Sequence, residues 1–209
     1  MIPVKVLAVR YLPNASLALL EQLGVDPAYP SLAMVTTDCD DATYIAMDEA
    51  TKAADVEVVY GKSLYAGAGN ATTPNAGEII GILAARTPGD ARSGMEAALA
   101  LLGRIGFEER AGVPYLAHTV ASAGRFLAKE AGVKEGSAVA YLIAPPLESM
   151  YGLDGALKAA DVALCKLYGP PSETNFGGAL LTGSQSACQA ACEAFAQAVE
   201  EVALLPKEG

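Results

Sequence analysis

The sequence predicts two tandem α/β domains, each an α+β sandwich of one sheet with helices packed on it, and three observations carry that expectation. One segment is written twice, strands and helices recur in the same order in both halves, and the apolar content suffices for two cores. Residues 47–56 (MDEATKAADV) align with residues 153–162 (LDGALKAADV), so that Asp48, Ala50, Lys52, Ala53, Ala54, Asp55 and Val56 recur at one fixed offset. Without gaps the same offset sets Ser31 on Ser137 and residues 32–35 on 138–141; with gaps, Gly77 and Glu96-Ala97 meet Gly178 and Glu193-Ala194. The halves divide as 1–108 and 109–209. Of the 209 residues 52% are hydrophobic and 18% charged, which is ample for packing.

The elements follow in order. Residues 4–9 are β-branched enough for a strand, and Asn14 is placed to cap a short helix that stops at Gly24. An apolar strand spans 32–37. A helix spans 41–54, with Asp48 and Lys52 placed as an i,i+4 surface pair. Strands at 56–60 and 78–84 precede an alanine-rich helix over 90–102. The second half repeats this with strands at 115–120, 139–144, 162–167 and 179–182, and helices at 122–131, 147–160 and 186–203. Two stretches break the pattern. Residues 63–74 are rich in glycine, which widens the backbone's options, whereas proline narrows them in the matching stretch 169–175.

The net charge of −10 repels nucleic acid and anionic membranes and attracts small cations, so neither of the first two is expected as a partner. The first residues lack a basic segment followed by an apolar one, and no apolar run approaches the roughly 18 residues of a spanning helix. A cytosolic protein is expected. Cys39, Cys165, Cys188 and Cys192 match no zinc spacing; Cys188 and Cys192 share a helix face and read as small buried apolar residues. Catalysis would have to run through the single histidine, His118, which lies in a strand with no nucleophile motif beside it. Gly67-x-Gly69 lacks the third glycine of a dinucleotide fingerprint, and residues 182–186 read as a helix cap. No enzyme activity, metal or cofactor is expected.

The acidic residues are more informative. Asp38, Asp40 and Asp41 sit where a strand turns into a helix, and Glu78 opens a later strand. The helix dipole favours acids there. Yet the positions aligned with Asp40 and Asp41 are Pro146 and Leu147, so folding does not demand carboxylates at this junction. Paired carboxylates suit a small amine.

The pattern Asp-x-x-x-Lys-Ala-Ala-x-Val, present at 48–56 and 154–162, resembles the signature helix of bacterial microcompartment shell domains. Residues 40–52, 58–67, 144–148, 171–175 and 181–185 extend the likeness to the EutL family, the tandem-domain shell proteins of ethanolamine-utilisation microcompartments. The resemblance implies two circularly permuted shell domains per chain and a pseudo-hexagonal homotrimer that tiles with other shell proteins. It implies Lys52 and Lys158 as tile-edge contacts. It also implies a small acidic channel binding an ethanolamine-like amine through Asp41, Glu78, Thr174, Asn175 and the backbone of Phe107. A gated central pore would be lined by the loop bearing Tyr65, Gly67, Gly69 and Asn70. The alternative is an amine-binding regulatory sensor that does not tile.

Overall fold

A computed structural model of the chain describes residues 1–64 and 78–207. The loop residues Tyr65, Gly67, Gly69 and Asn70 lie outside them. The chain divides into two compact units. The N-terminal unit is Pro3–Ile105 together with Gly124–Leu127; the C-terminal unit is Met1–Ile2, Gly106–Ala123 and Ala128–Gly209.

The N-terminal unit contains β1 (Val6–Leu12), α1 (Leu17–Leu23), β2 (Ser31–Thr37), α2 (Asp40–Ala53), β3 (Val56–Leu64), β4 (Glu78–Ala85) and α3 (Pro88–Leu102). Its strands form one antiparallel sheet in the order β1-β2-β4-β3. Helices α2 and α3 pack on each other and on the sheet. Gly81 sets how close α2 comes: a Cβ there would collide with Met47 Sδ. On the sheet, Leu20 of α1 joins Leu32, Ile82 and Ala84 in a separate core cluster.

The C-terminal unit contains β5 (Glu108–Arg110), β6 (Val113–Val120), most of α4 (Arg125–Ala131), β7 (Ala138–Ala144), α5 (Pro146–Ala159), β8 (Val162–Tyr168), β9 (Gly177–Gly183) and α6 (Gln185–Leu204). Its sheet runs β5-β6-β7-β9-β8, again antiparallel. Phe195 of α6, wholly buried, anchors a core with Leu142, Leu153 and Leu181. Gly152 admits it, since a Cβ there would lie 2.8 Å from the Phe195 ring. Cys188 and Cys192 are buried on the same helix.

The repeat is visible in the backbone. Helices α2 and α5 have 14 residues each, and both end where Val56 or Val162 donates to the carbonyl of Ala54 or Ala160, at 2.9 Å each. Strands β3 and β8 bulge at corresponding places, Val58/Tyr60 and Leu164/Lys166. The ladders also correct the sequence alignment. Ser31 pairs with Ala85 beside Val56, and Ala138 pairs with Gly183 beside Val162, so Ser31 corresponds to Ala138 rather than Ser137. The helix offset does not carry into the strand because Asp38-Cys39 joins β2 to α2, whereas Pro145 alone joins β7 to α5. The same registers make Phe176 the counterpart of Glu78 and Gly178 the counterpart of Ile80, while Gly77, expected to match Gly178, lies outside the described residues.

Other expectations are corrected too. Ser16, not Asn14, caps α1, through its hydroxyl and the Leu19 N–H. Helix α4 begins at Arg125 rather than near Ser122, and β5 is an additional three-residue strand. Asp48 is no surface residue. Its side chain is fully buried and accepts from the N–H groups of Gly124 (2.7 Å) and Leu127 (2.8 Å) at the start of α4. Lys52 Nζ lies 3.9 Å from Asp48 and 2.5 Å from Glu49 instead. In the other half Lys158 forms an exposed i,i+4 pair, 2.6 Å from Asp154.

Candidate functional site

The acidic end of the N-terminal unit is built by the turn from β2 into α2. Thr37, the last residue of β2, holds the turn. Its Oγ1 accepts from the Cys39 N–H at 3.1 Å and lies 2.7 Å from Thr43 Oγ1, which donates to the Cys39 carbonyl at 2.7 Å. Cys39 occupies the helix cap without a side-chain bond to the helix, and burial pushes its thiol well above its ordinary pKa. The first turn of α2 therefore receives its acids from Asp40 and Asp41, where the helix dipole favours them.

The strand registers bring the remaining groups to the same end. Ile79 lies between Thr37 on β2 and Ser63 on β3, and Glu78 precedes it opposite Leu64. Asp38, Asp40, Asp41 and Glu78 are thus gathered at one end of one sheet, beyond its inner strands, each no more than 7% exposed. They are not equivalent. Asp38 accepts from the Lys5 N–H at 2.7 Å. Asp40 accepts from the Asp41 N–H at 3.0 Å. Desolvation raises the Asp40 pKa to about 6, against the opposing pull of the Ser63 hydroxyl and of Asp41. Ser63 Oγ is in turn 3.0 Å from Tyr44 OH, one helical turn along α2. A carboxylate pair so poised can hold a proton near neutrality or exchange it for a small cation.

The other expected site residues belong to the C-terminal unit. Phe107 is fully buried with its ring 5.7 Å from that of Phe176, and its carbonyl already accepts from the Ile2 N–H at 2.5 Å. Thr174 is buried and accepts from the Phe176 N–H at 3.3 Å, while Ser172 Oγ accepts from the Thr174 N–H at 3.3 Å. The loop closes when the Ser172 N–H donates to the Phe176 carbonyl at 3.0 Å, and Asn175 stands exposed on it. Asp41 and Glu78 are thus brought together within one unit, and Phe107 and Thr174 are joined through Phe176 within the other. Asp40 stands beside Asp41 as the junction predicts, whereas Ser63 and Tyr44 join them without having been expected there. The contact of Tyr44 with Ser63 depends on the β3 register, which no sequence motif encodes.

His118 lies mid-strand in β6 opposite Tyr141. Among the described residues no group of His, Cys, Asp and Glu suits a metal ion, and no helix is long and apolar enough to cross a membrane.

The BMC-domain family model matches residues 31–112. A bacterial microcompartment shell protein EutL of Clostridium perfringens is 55% identical over 205 residues, spanning 96% of this chain and 94% of that one. The crystal structure of the ethanolamine utilization protein EutL from Leptotrichia buccalis is 53% identical and covers 100% of this chain and 98% of that chain, with a TM-score of 0.93. A trimeric bacterial microcompartment shell protein, PduB, shares the fold, with a TM-score of 0.80 at 23% identity, covering 96% of this chain and 89% of that one.

Proposed function

The chain belongs to the EutL family of bacterial microcompartment shell proteins, and from that premise we propose that it closes into a homotrimeric, pseudo-hexagonal tile that passes a small amine through acidic channels. It is a structural protein of the shell with two tandem, circularly permuted shell domains; in this reading they are 1–108 and 109–209. Three such chains supply six domains, so a threefold ring imitates a sixfold one. Lys52 and Lys158 are its edge contacts with neighbouring shell proteins, and the loop with Tyr65, Gly67, Gly69 and Asn70 gates a wider opening on the axis.

The observation that carries the channel is the gathering of Asp41 and Glu78 with Asp40 at one end of the sheet. Their counterparts in the other half, Leu147 and Phe176, are apolar, so the fold is built without acids at these places. An ammonium group offsets the repulsion among the carboxylates, and the ligand polar groups are completed by Thr174, Asn175 and the Phe107 carbonyl. A conduit must release what it binds. Millimolar affinity, about −4 kcal/mol, fits one or two partly solvated charge-assisted hydrogen bonds.

Calorimetry with ethanolamine is the test, on the parent and on Asp41→Asn, with light scattering alongside. The expected result is binding by the parent, none by the variant, and the same trimer mass for both. Unchanged affinity in the variant removes Asp41 from the site. Electron microscopy of concentrated protein should show hexagonal arrays, and their absence favours the non-tiling sensor.

A further inference from the structure

The duplicated halves fill one groove differently. The caps of α3 and α6 correspond, since the Thr87 hydroxyl accepts from the Asp90 N–H and the Ser184 hydroxyl from the Ala187 N–H, each three residues on. Arg92, Met95, Glu96 and Leu99 of α3 therefore match Gln189, Cys192, Glu193 and Ala196 of α6. The ladders match the facing strands: Val9 and Tyr11 pair with Val35 and Ala33, as Ala117 and Thr119 pair with Leu142 and Ala140. In the N-terminal unit the Arg92 guanidinium lies over the Tyr11 ring, 4.8 Å from its centroid, so a cation and an aromatic ring bridge α3 and β1.

The C-terminal unit keeps the acid and discards the filling. Glu96 recurs as Glu193, whereas Val9, Tyr11, Arg92, Met95 and Leu99 become Ala117, Thr119, Gln189, Cys192 and Ala196, each of them smaller. What opens between β6 and α6 is a groove of about 240 Å³, lined by these residues together with Glu108, Arg110 and Tyr115. That is below the roughly 300–1,000 Å³ of pockets for drug-sized ligands, so it suits a molecule of few atoms. Strand β5, by which this sheet exceeds the other, brings Glu108 and Arg110. Arg110 lies 3.4 Å from Glu193 Oε1 and 3.2 Å from Glu200 Oε2, and Tyr115 OH donates to Glu108 Oε2 at 3.0 Å. Gln197 also donates to Glu193 Oε1, at 3.2 Å. Among the described residues these bonds leave Oε1 of Glu108 and Oε2 of Glu193 as acceptors, beside the small side chains of Ala117, Cys192 and Ala196.

We infer that this groove binds a small organic cation with a flat apolar body and a single amidinium, guanidinium or ammonium head. The first half shows the fit, because it seats its own guanidinium and ring at the matching place. The sign follows from the charges. Three carboxylates, Glu108, Glu193 and Glu200, stand against one guanidinium, Arg110, so an anion is repelled while a cation meets Glu108 and Glu193 through charge-assisted hydrogen bonds. The apolar body takes the room that Tyr11 and the Arg92 stem fill in the first half, against the methyl groups of Ala117 and Ala196. Thr119 and Gln189 offer polar atoms at that end. The site belongs to the C-terminal unit alone and shares no residue with the acidic end of the N-terminal unit.

Benzamidinium is the probe, and alanine-methyl NMR of the intact protein is the readout. Addition should shift the Ala117 and Ala196 methyl signals saturably, while benzamide, of the same shape and neutral, should leave them in place. Glu193→Gln replaces an exposed carboxylate and should weaken binding about tenfold. Thr119→Tyr/Gln189→Arg installs the first half's own filling and should abolish both shifts, with circular dichroism reporting the fold. Should that double variant misfold, Glu193→Gln decides. Shifts confined to other methyls, an equal response to benzamide, undiminished affinity in Glu193→Gln, or unaltered shifts in the folded double variant would each overturn the inference.

Discussion

Asp40 should make the protein less stable as pH rises through the weakly acidic range, and Asp40→Asn should remove that effect. Its folded-state pKa of about 6 lies above the ordinary carboxyl value of 3.8 because burial penalises the charged form. The unfolded chain loses this proton first, so the native state holds more protons between the two values. Stability therefore falls as pH rises from near 4 to above 6 and then levels off. The shift corresponds to about 3 kcal/mol at neutral pH. Asparagine keeps the shape and carries no charge, so the gain in the variant should grow by about 2 kcal/mol between pH 4 and pH 7.5. Urea unfolding at fixed protein concentration measures it, as a midpoint difference between parent and variant that widens by about 1 M with pH. A difference that stays constant with pH would mean that Asp40 titrates as an ordinary carboxylate, and the account of its desolvation would fail.

Two further predictions concern neighbouring groups. A cationic amine favours the deprotonated form of Asp40, so affinity should rise as pH passes from 5 to 7, with proton uptake by the buffer visible as a buffer-dependent heat; a pH-independent affinity counts against this. Asp48→Ala leaves the Gly124 and Leu127 N–H groups without their acceptor, which should cost about 3 kcal/mol and speed hydrogen exchange at those two amides selectively.

The helices were the legible part of the fold, because α2 and α5 have equal length and keep their Ala-rich spacing. The strand alignment was not. One extra residue in Asp38-Cys39 shifts β2 against β7, and only the hydrogen-bond ladders reveal it. Strand β5 is too short to carry a pattern. Asp48 misled for a clear reason: an acid four residues before a lysine reads as a surface pair, while its true partners lie 76 and 79 positions away. At the candidate site, Asp40 and Asp41 were legible as carboxylates that the other half lacks, and Glu78 as an acid that opens a later strand. The Ser63 hydroxyl was not, because the register of β3 against β4 sets where it lies, beside Asp40 and 3.0 Å from Tyr44 OH.

Those hydroxyls explain why the acids cannot simply be copied to the second half. The C-terminal counterparts of Tyr44 and Ser63 are Met150 and Gly169, which have no hydroxyl to offer, and the counterpart of Glu78 is Phe176, buried against the Phe107 ring. Leu147→Asp/Phe176→Glu would therefore bury a charge with no donor prepared for it and remove an aromatic contact. A loss of at least about 3 kcal/mol is expected, read as a lower urea midpoint, with no second amine site by calorimetry. If the variant were as stable as the parent and bound amine at twice the stoichiometry, the carboxylates alone would make the site. Duplication is what permits the asymmetry: an assembly of identical single domains repeats every residue in each domain, whereas a two-domain chain can keep acids with their donors in one half and leave apolar residues at the matching places in the other.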